Sequence, residues 1–315
     1  MNKRTNLTVM NMFEQFIITY GEQNLGELIE YEPLAKHTTL RVGGPARIFV
    51  QPIDKDAFIH TIDLIRKLDL NFKILGKGSN LLASDAAFEG IVVKTDKALD
   101  YTTVDGTTVY LGAGVSDVKV ARDMAKRGLS GMEFLSGVPG TIGGAVFMNA
   151  GAYLKEMKDI LQKVQILDEH GQLRWCSADE LDLTYRTSIF QRRPDWIIVE
   201  AVVSLEEGDS AKILQLIRDR KEKRKTAQPL EMPSAGSTFR NPEGHAAWKL
   251  VEEAGLRGFS IGGAMVSDKH TNFVINCNDA TAQNVADVIA HVKQMIQDQH
   301  KLEMHQEVEF FNWGD

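Results

Sequence analysis

The chain contains one stretch in which glycine recurs at close intervals. Residues 136–151 read Ser-Gly-Val-Pro-Gly-Thr-Ile-Gly-Gly-Ala-Val-Phe-Met-Asn-Ala-Gly. Glycine lets the backbone adopt positive φ and approach a ligand closely, and successive backbone N–H groups in such a loop form a concavity that binds anions. The alternative is a glycine-rich surface loop without a ligand, but the apolar residues 145–148 are not typical of a solvated linker. The stretch therefore favours a pyrophosphate-binding loop.

A second glycine cluster follows a predicted short strand. Residues 76–82 read Gly-Lys-Gly-Ser-Asn-Leu-Leu and come directly after the strand predicted at 72–75. A strand that ends in such a turn presents backbone donors to phosphate. The cluster lacks the third glycine of a dinucleotide fingerprint, and its lysine stands between the glycines rather than where a P-loop has it. Together the two loops predict one extended nucleotide, held from two sides.

Three further residues carry side chains suited to catalysis. Ser237 lies in a loop between Pro233 and Pro242, Arg186 lies in Tyr-Arg-Thr-Ser-Ile-Phe, and Glu307 lies on the polar face of an alternating segment, 305–311. Each has an ordinary structural explanation. Ser next to Gly is typical of turns, an isolated Arg is often a surface cation or a cap, and an acid on a polar strand face is normally solvated.

Six stretches, in the same order along the chain, resemble the family of UDP-N-acetylenolpyruvoylglucosamine reductases. The glycine loops resemble those of FAD-binding domains of the vanillyl-alcohol-oxidase type, to which that family belongs. The resemblance covers nearly the whole chain. The matching stretches are 38–44, 76–82, 136–153, 185–190, 235–242 and 302–308.

The resemblance implies an α+β fold with a two-lobed FAD-binding domain and a C-terminal α+β substrate-binding domain. We expect the first FAD-binding lobe at 1–97, joined by a C-terminal strand within 301–315, the second lobe at 98–207, and the substrate-binding domain at 208–300. Few residues separate Phe190 from the strand that begins near Trp196. The chain therefore resembles the compact class of the family, which lacks an extra substrate lid.

The resemblance also implies an NADPH-dependent reduction of the enolpyruvyl group of UDP-N-acetylglucosamine enolpyruvate, giving UDP-N-acetylmuramate for peptidoglycan. Hydride passes through FAD, and Ser237 matches the acid that protonates the substrate carbon. Arg186 matches the residue that contacts the enolpyruvyl carboxylate, and Glu307 matches the family's catalytic glutamate. The pair His300-Lys301 stands where an aromatic-Gly pair is common, so Glu303 and Glu309 are alternatives for that glutamate.

The expected binding residues follow from the same matches. Neither glycine loop contains His or Cys, so the FAD is expected to be noncovalent. Asn149, Lys225 and Asn241 match substrate-contacting positions, with Lys225 assigned to the diphosphate and the other cations of 221–225 expected to be solvated. The residues expected to hold FAD are Gly76, Lys77, Gly78, Ser79, Asn80, Leu81, Gly137, Gly140, Thr141, Gly143 and Gly144.

The composition excludes several other classes of protein. A net charge of -7 argues against nucleic-acid binding. Cys176 and Cys277 form no metal or redox motif, and the eight His residues show no metal spacing, so no metal is expected. No signal peptide or membrane span is recognisable, so a cytoplasmic protein is expected. The sequence indicates no oligomeric state.

The apolar periodicity predicts the elements that carry these loops. Residues 1–20 are expected to form a loosely held helix, and Tyr101–Leu111 a hairpin with an Asp-Gly turn. Strands are also predicted at 91–94, 164–167, 173–176, 197–205, 264–266, 272–275 and 305–311. Helices are predicted at 56–68, 116–126, 209–225, 246–254 and 281–300, with Ser116, Asp209 and Thr281 at N-termini.

Two other functions fit a flavin fold. One is an oxidase or dehydrogenase of an alcohol or hydroxy acid, in which the substrate reduces the flavin and oxygen reoxidises it. The other is a catalytically silent UDP-sugar sensor. The presence of Arg186, Ser237 and Glu307 together disfavours both.

Overall fold

The computed structural model describes residues 11–314. Its first element is α1 (Met12–Glu22), which begins at a capping box formed by Asn11 and Glu14. Phe16 and Tyr20 on this helix are fully buried. The helix expected at 1–20 is therefore firmly anchored over residues 12–20, and the rest of that prediction lies outside the described residues.

The first lobe is a mixed four-stranded sheet with the strand order β1-β2-β5-β3. Strand β1 is antiparallel to β2, whereas β2 and β3 are parallel to β5. Asp54 accepts a hydrogen bond from Ala57 at the start of α2, and the buried Phe58, Ile62 and Ile65 face the sheet core. The elements are β1 (Gly26–Pro33), β2 (Pro45–Pro52), α2 (Lys55–Lys67), β3 (Phe72–Leu75), β4 (Leu81–Ala83) and β5 (Phe88–Lys94).

The second lobe is built on a five-stranded antiparallel sheet, in the order β12-β11-β13-β7-β6. Its apolar side chains form one continuous core with those of the first lobe. The elements are β6 (Thr102–Asp105), β7 (Thr108–Gly112), α3 (Asp117–Lys126), β8 (Leu129–Ser130), α4 (Ile142–Phe147), β9 (Gly151–Ala152), β10 (Lys155–Glu156), β11 (Leu161–Leu167), β12 (Leu173–Ser177), β13 (Ile197–Ser204) and β14 (Glu206–Glu207).

Two local predictions in this lobe need correction. Asp105 pairs with Thr108, so the hairpin turns at residues 106–107, one residue later than the Asp-Gly turn predicted. The 136–151 stretch, predicted as a loop, contains the short helix α4, because the apolar residues 142–147 pack into the core as one helical turn and a half. Ser116 precedes α3 as predicted, but its side chain makes no capping hydrogen bond.

The C-terminal elements form a second core. Helix α7 begins at a capping box of Thr281 and Asn284 and covers the three-stranded antiparallel sheet β15-β16-β17 with apolar residues at helical spacing. The elements of this core are α6 (Ala247–Glu253), β15 (Ser260–Ile261), β16 (Ala264–Val266), β17 (Val274–Asn276), α7 (Ala282–His300) and β18 (Glu309–Phe311). Helix α5 (Ser210–Ala227) packs instead against α3 of the second lobe, where Ile213 and Ile217 contact Ala125.

The tail segment joins this core to the first lobe. Strand β18 pairs in parallel with β4, and Phe239 pairs with Gln306 just before it. The domain boundaries given above stay predictions. None of the helices between residues 11 and 314 is both long and apolar enough to cross a bilayer.

Candidate active site

The two glycine loops lie against each other. A Cβ built on Gly76 would lie 2.5 Å from Oγ1 of Thr141, so only glycine fits at this approach. Gly76 follows β3, and its carbonyl accepts a hydrogen bond from Lys94 at the end of β5. The parallel pairing of β3 with β5 therefore fixes the position of the first loop. The close approach of Gly76 to Thr141 places the second loop directly beside it.

The first loop has the properties of an anion site. A Cβ on Gly78, where φ is +61°, would lie 2.2 Å from the carbonyl oxygen of His37. Within residues 11–314, the backbone N–H groups of 77–80 have no hydrogen-bond acceptor. The Nζ atoms of Lys77 and Lys94 lie 3.9 and 3.4 Å from Oδ2 of Asp96. Burial lowers the pKa of Lys94. Unused donors and two cations suit a diphosphate.

The second loop is anchored to the start of α3. The N–H of Asp117 donates to the carbonyl of Gly140 at 3.2 Å, and a Cβ on Gly140 would lie 2.5 Å from Oδ2 of Asp117. The Asp117 carboxyl is fully buried, and neither oxygen has a partner among the described residues. Burial therefore raises its pKa well above the ordinary value. Gly144, unlike Gly140, has room for a side chain, because a Cβ there would lie no closer than 3.8 Å to Oγ1 of Thr141.

Arg186 is held between backbone and two carboxylates. Its Nε lies 2.7 Å from Oε1 of Glu307, and its Nη2 donates to the carbonyl of Gly151 at 2.8 Å. Nη1 lies 3.8 Å from Oε1 of Glu156. The residue has φ of +55° at the turn between the paired Thr184 and Thr187. These contacts hold the mostly buried guanidinium in one position, and its Nε–H donates to the Glu307 carboxylate.

Ser237 directly precedes a segment that pairs with the tail. The N–H of Glu307 donates to the carbonyl of Thr238 at 2.8 Å, and the N–H of Arg240 donates to the carbonyl of His305 at 2.9 Å. The Nδ2 of Asn80 also donates to the carbonyl of Glu307 at 3.0 Å. The fold therefore brings the segments of Arg186, Ser237 and Glu307 together beside the first glycine loop.

The alternative glutamates lie elsewhere. The Glu303 side chain is 75% exposed, and its Oε1 lies 3.8 Å from Nδ1 of His305. Between residues 11 and 314 it forms no ion pair with a lysine or arginine. Glu309, in β18, pairs with Leu81 of β4 and forms no ion pair with Arg186. The contact with Arg186 therefore favours Glu307.

The cations at the end of α5 differ from expectation in one respect. Lys225 is exposed, as a residue that contacts a mobile ligand would be. Arg224 was expected to be solvated, but this is wrong: its guanidinium donates to the carbonyl of Gly137, and burial lowers its pKa. Arg224 follows Ile213 and Ile217 along the same buried face of α5. That helical spacing is a sequence signal that distinguishes it from its neighbours.

Asn149 and Asn241 have different surroundings. Asn149 is fully buried; its Nδ2 donates to Glu156 at 3.0 Å and to the carbonyl of Thr184 at 2.8 Å. A direct contact with substrate would require these bonds to break. Asn241 is exposed, and its Oδ1 accepts from the N–H of Ala247 at 2.9 Å.

Two acids near the site have no motif that identifies them. Glu156 accepts a hydrogen bond from Nδ2 of Asn149, and its Oε1 lies 3.8 Å from Nη1 of Arg186, so it helps to hold the Arg186 side chain. Asp117 lies against Gly140, as described above. Among the described residues, no group of three His, Cys, Asp or Glu side chains is arranged to hold a metal.

Two families match the chain in the order that the fold shows. Residues 46–177 match the FAD binding domain family, and residues 228–311 match the family described as UDP-N-acetylenolpyruvoylglucosamine reductase, C-terminal domain. The first match contains both glycine loops. The second contains Ser237 and Glu307.

Relatives match over almost their whole length. The chain is 43% identical to UDP-N-acetylenolpyruvoylglucosamine reductase of Bacillus subtilis over 94% of this chain and 98% of the relative. The Bacillus velezensis reductase is 44% identical over the same shares. A crystal structure of the Thermus caldophilus reductase is 32% identical, with a TM-score of 0.76, and covers 91% of this chain and 98% of that one.

These matches confirm the predicted FAD-binding domain with a C-terminal α+β domain, and the assignment of the chain to the oxidoreductases. With the two glycine loops in contact and the reductase C-terminal domain present, the chain belongs to the UDP-N-acetylenolpyruvoylglucosamine reductase family.

Proposed function

We propose that the chain reduces the enolpyruvyl group of UDP-N-acetylglucosamine enolpyruvate to give UDP-N-acetylmuramate for peptidoglycan, with NADPH as hydride donor and noncovalent FAD as cofactor. The observation that carries the proposal is the meeting of Arg186, Glu307 and the Ser237 segment beside the glycine loops. A cation can stabilise the negative charge that hydride addition to the carbon–carbon double bond creates, a hydroxyl can supply the proton, and a carboxylate can orient the cation.

The glycine loops fit the cofactor. Bound FAD would supply the hydride that NADPH provides. The backbone N–H groups of 77–80 and the cations Lys77 and Lys94 suit its diphosphate. We assign Gly137, Gly140, Thr141, Gly143 and Gly144, in the neighbouring loop, to the opposite side of the cofactor. We propose that this chain's loops bind FAD through backbone donors, so that no covalent tether is needed.

Arg186 stabilises the negative charge that develops on the substrate. When hydride adds to the terminal vinyl carbon, the electron pair of the double bond moves toward the carboxylate as an enolate. A guanidinium held by Glu307 and the Gly151 carbonyl is preorganised to bind a carboxylate. Such preorganised charge is often the largest contribution to catalysis.

Ser237 donates the proton to the carbon next to the carboxylate. One hydride and one proton then complete the reduction, and the Ser237 oxygen regains its proton from solvent. A hydroxyl is a weak acid at neutral pH, so it can act only on a strongly basic enolate carbon. Glu307, whose N–H is bound to the residue after Ser237, aligns Arg186 with the site of protonation.

Three further residues are assigned to the substrate. The exposed Lys225 is suited to the diphosphate, and the exposed Asn241 lies in the loop that follows Ser237. Asn149 contributes through Glu156 and Thr184, which flank Arg186. The roles of Lys225 and Asn241 rest on the resemblance to the family together with the exposure of their side chains. The role of the buried Asn149 rests on that resemblance and on its two hydrogen bonds.

An anaerobic absorbance experiment tests the function. NADPH should bleach the flavin band of the purified protein, and the enolpyruvyl sugar should restore it without oxygen. Restoration by oxygen alone would indicate the oxidase function, and binding of the sugar without restoration would indicate a sensor.

The Ser237→Ala variant tests the proton donor. Reduction by NADPH should persist, whereas reoxidation by the enolpyruvyl sugar should slow by about 10²–10⁴-fold, the usual contribution of general acid catalysis. Ser234→Ala, in the same loop, is the matched control and should keep both rates. Equal slowing of both half-reactions in Ser237→Ala would contradict the assigned role.

A further inference from the structure

The loop that carries Ser237 is bound on one side by a single buried amide side chain. The Nδ2 of Asn272 donates to the carbonyl of Phe239 at 2.9 Å, and its Oδ1 accepts from the N–H of Phe239 at 3.0 Å. The backbone carbonyl of Asn272 accepts from the N–H of Thr238 at 2.7 Å. Two residues on, the N–H of Val274 donates to Oγ1 of Thr238 at 3.1 Å. The two residues after Ser237 are thus bound at four points.

The chemistry of the side chain explains why asparagine stands there. Its amide presents one N–H donor and one C=O acceptor in a plane, as a peptide group does, so it can pair with both polar groups of one residue. Asn272 is 5% exposed, and loss of a partner for a buried polar group costs about 1–3 kcal/mol. The Asn272 amide therefore makes the two backbone hydrogen bonds with Phe239 that a neighbouring strand would make.

The opposite side of the same segment pairs with the tail. The carbonyl of Thr238 accepts from Glu307, and the N–H of Arg240 donates to His305. Residues 238–240 therefore lie between Asn272 and the segment that carries Glu307. The position of Ser237 relative to Glu307 and Arg186 depends on both sides of this arrangement.

We propose that Asn272 is a positioning residue that fixes Ser237 for proton transfer, an inference that rests on the proposed function. Asn272 acts through the backbone of Thr238 and Phe239 and touches no reacting atom. Displacement of a reacting group by 1 Å costs about 10²-fold in rate. Loss of the Asn272 amide should therefore slow protonation and leave cofactor reduction unchanged.

The experiment compares Asn272→Ala with a matched control, Asn276→Ala. Asn276 lies in β17, and its side-chain amide also bonds two backbone groups, the carbonyl of Leu40 at 3.1 Å and the N–H of Ala280 at 2.9 Å. Neither of these groups lies in the Ser237 loop, and the backbone bond of Asn276 to Pro233 is kept in the alanine variant. Anaerobic stopped-flow absorbance gives the rates of flavin reduction by NADPH and of reoxidation by the enolpyruvyl sugar. Titration gives the Kd of the sugar, and thermal unfolding gives the stability of each variant.

In Asn272→Ala, reoxidation should slow by about 10²-fold while flavin reduction and the Kd of the sugar change little, and the solvent deuterium isotope effect on reoxidation should increase. Asn276→Ala should lose comparable stability and keep its reoxidation rate. Equal slowing of both half-reactions in Asn272→Ala, or the same loss in both variants, would overturn the proposal.

A second variant covers failure of Asn272→Ala to fold. Thr238→Val preserves the branched shape of the side chain and removes only the acceptor for Val274. It should slow reoxidation by about tenfold through the same displacement, and an unchanged rate would count against the proposal. If the unmodified enzyme is not reoxidised by the sugar at all, the proposed function fails, independently of Asn272.

Discussion

Arg186 and Glu307 form an ion pair of 2.7 Å between segments separated by 121 residues in sequence. The Glu307 carboxylate is bound to the same guanidinium that we assign to the substrate carboxylate. Glu307 therefore orients Arg186 before the substrate binds, and it competes with the substrate carboxylate for Arg186 afterwards. Orientation should raise the rate of reoxidation and competition should raise the Kd of the substrate, so the two effects can be measured separately.

Glu307→Gln removes the charge and preserves the shape of the side chain. Loss of the competing charge should lower the Kd of the enolpyruvyl sugar, whereas loss of alignment should slow reoxidation by about 10²–10³-fold. Anaerobic titration and stopped-flow measurements give the two quantities. Glu309→Gln, which has no contact with Arg186, is the control. Weaker binding with an unchanged rate would be incompatible with this role.

Gly144→Ala should separate stability from cofactor binding. The polypeptide leaves room for this methyl group, and replacing a helical glycine by alanine stabilises by about 0.5–1 kcal/mol. We expect the apoprotein to unfold at higher temperature and FAD to bind less tightly, because Gly144 is one of the residues that we assign to the cofactor. Retained FAD affinity would show that Gly144 does not approach the cofactor.

Gly78→Ala is the contrasting variant. Its Cβ would meet a backbone carbonyl at 2.2 Å in a left-handed conformation, which alone costs about 1–2 kcal/mol. The Gly78→Ala apoprotein should therefore be destabilised, unlike the Gly144→Ala apoprotein. Differential scanning fluorimetry of the two apoproteins should show shifts of opposite sign.

Asp117 should make stability depend on pH. Its pKa is raised in the folded protein, so the folded state binds more protons than the unfolded state as the pH rises above the ordinary range of a carboxyl. The free energy of unfolding contributed by this group therefore falls with rising pH. Asp117→Asn lacks this contribution, so its stability relative to the unmodified protein should increase from pH 5 to pH 8. Urea unfolding at both values measures the difference, and a constant difference would contradict the prediction.

Arg224 and Lys225 should have separable effects although they are adjacent. Lys225→Ala should raise the Kd of the sugar, by about tenfold if one charge-assisted hydrogen bond is lost, and leave FAD affinity unchanged. Arg224→Ala removes the donor to the Gly137 carbonyl and should weaken FAD binding. Titration of both ligands to both variants tests this, and identical profiles would contradict the distinction.

Much of the secondary structure follows from local patterns. Helix α7 is capped by Thr281 and ends at His300, as predicted, because capping and apolar spacing act within a few turns. Strand β3 and the turn after it were predictable for the same reason. The helix inside 136–151 was not, because five glycines indicate a loop and only burial of the apolar residues between them makes a helix stable there.

The assembly of the site depends on contacts that no local pattern encodes. Neither Ser237 nor Glu307 is distinguished by its neighbours, and the resemblance to a family was needed to select them. Their proximity arises from hydrogen bonds between residues 238–240 and 305–307. Arg224 shows the reverse case, since its position on the buried face of α5 is visible in the helical spacing but is masked by the surrounding cations.

The pairing of β18 with β4 also has a consequence for biosynthesis. Asn80 and Glu307 are bonded across 227 residues of sequence. The ribosome makes the chain from its N-terminus, so β4 and the first glycine loop emerge long before the residues that complete them. Strand β4 and the segment after Ser237 therefore lack their pairing partners until residues 305–311 have been made and released from the ribosome. The site that joins Arg186, the Ser237 segment and Glu307 can therefore form only after translation of the C-terminal segment.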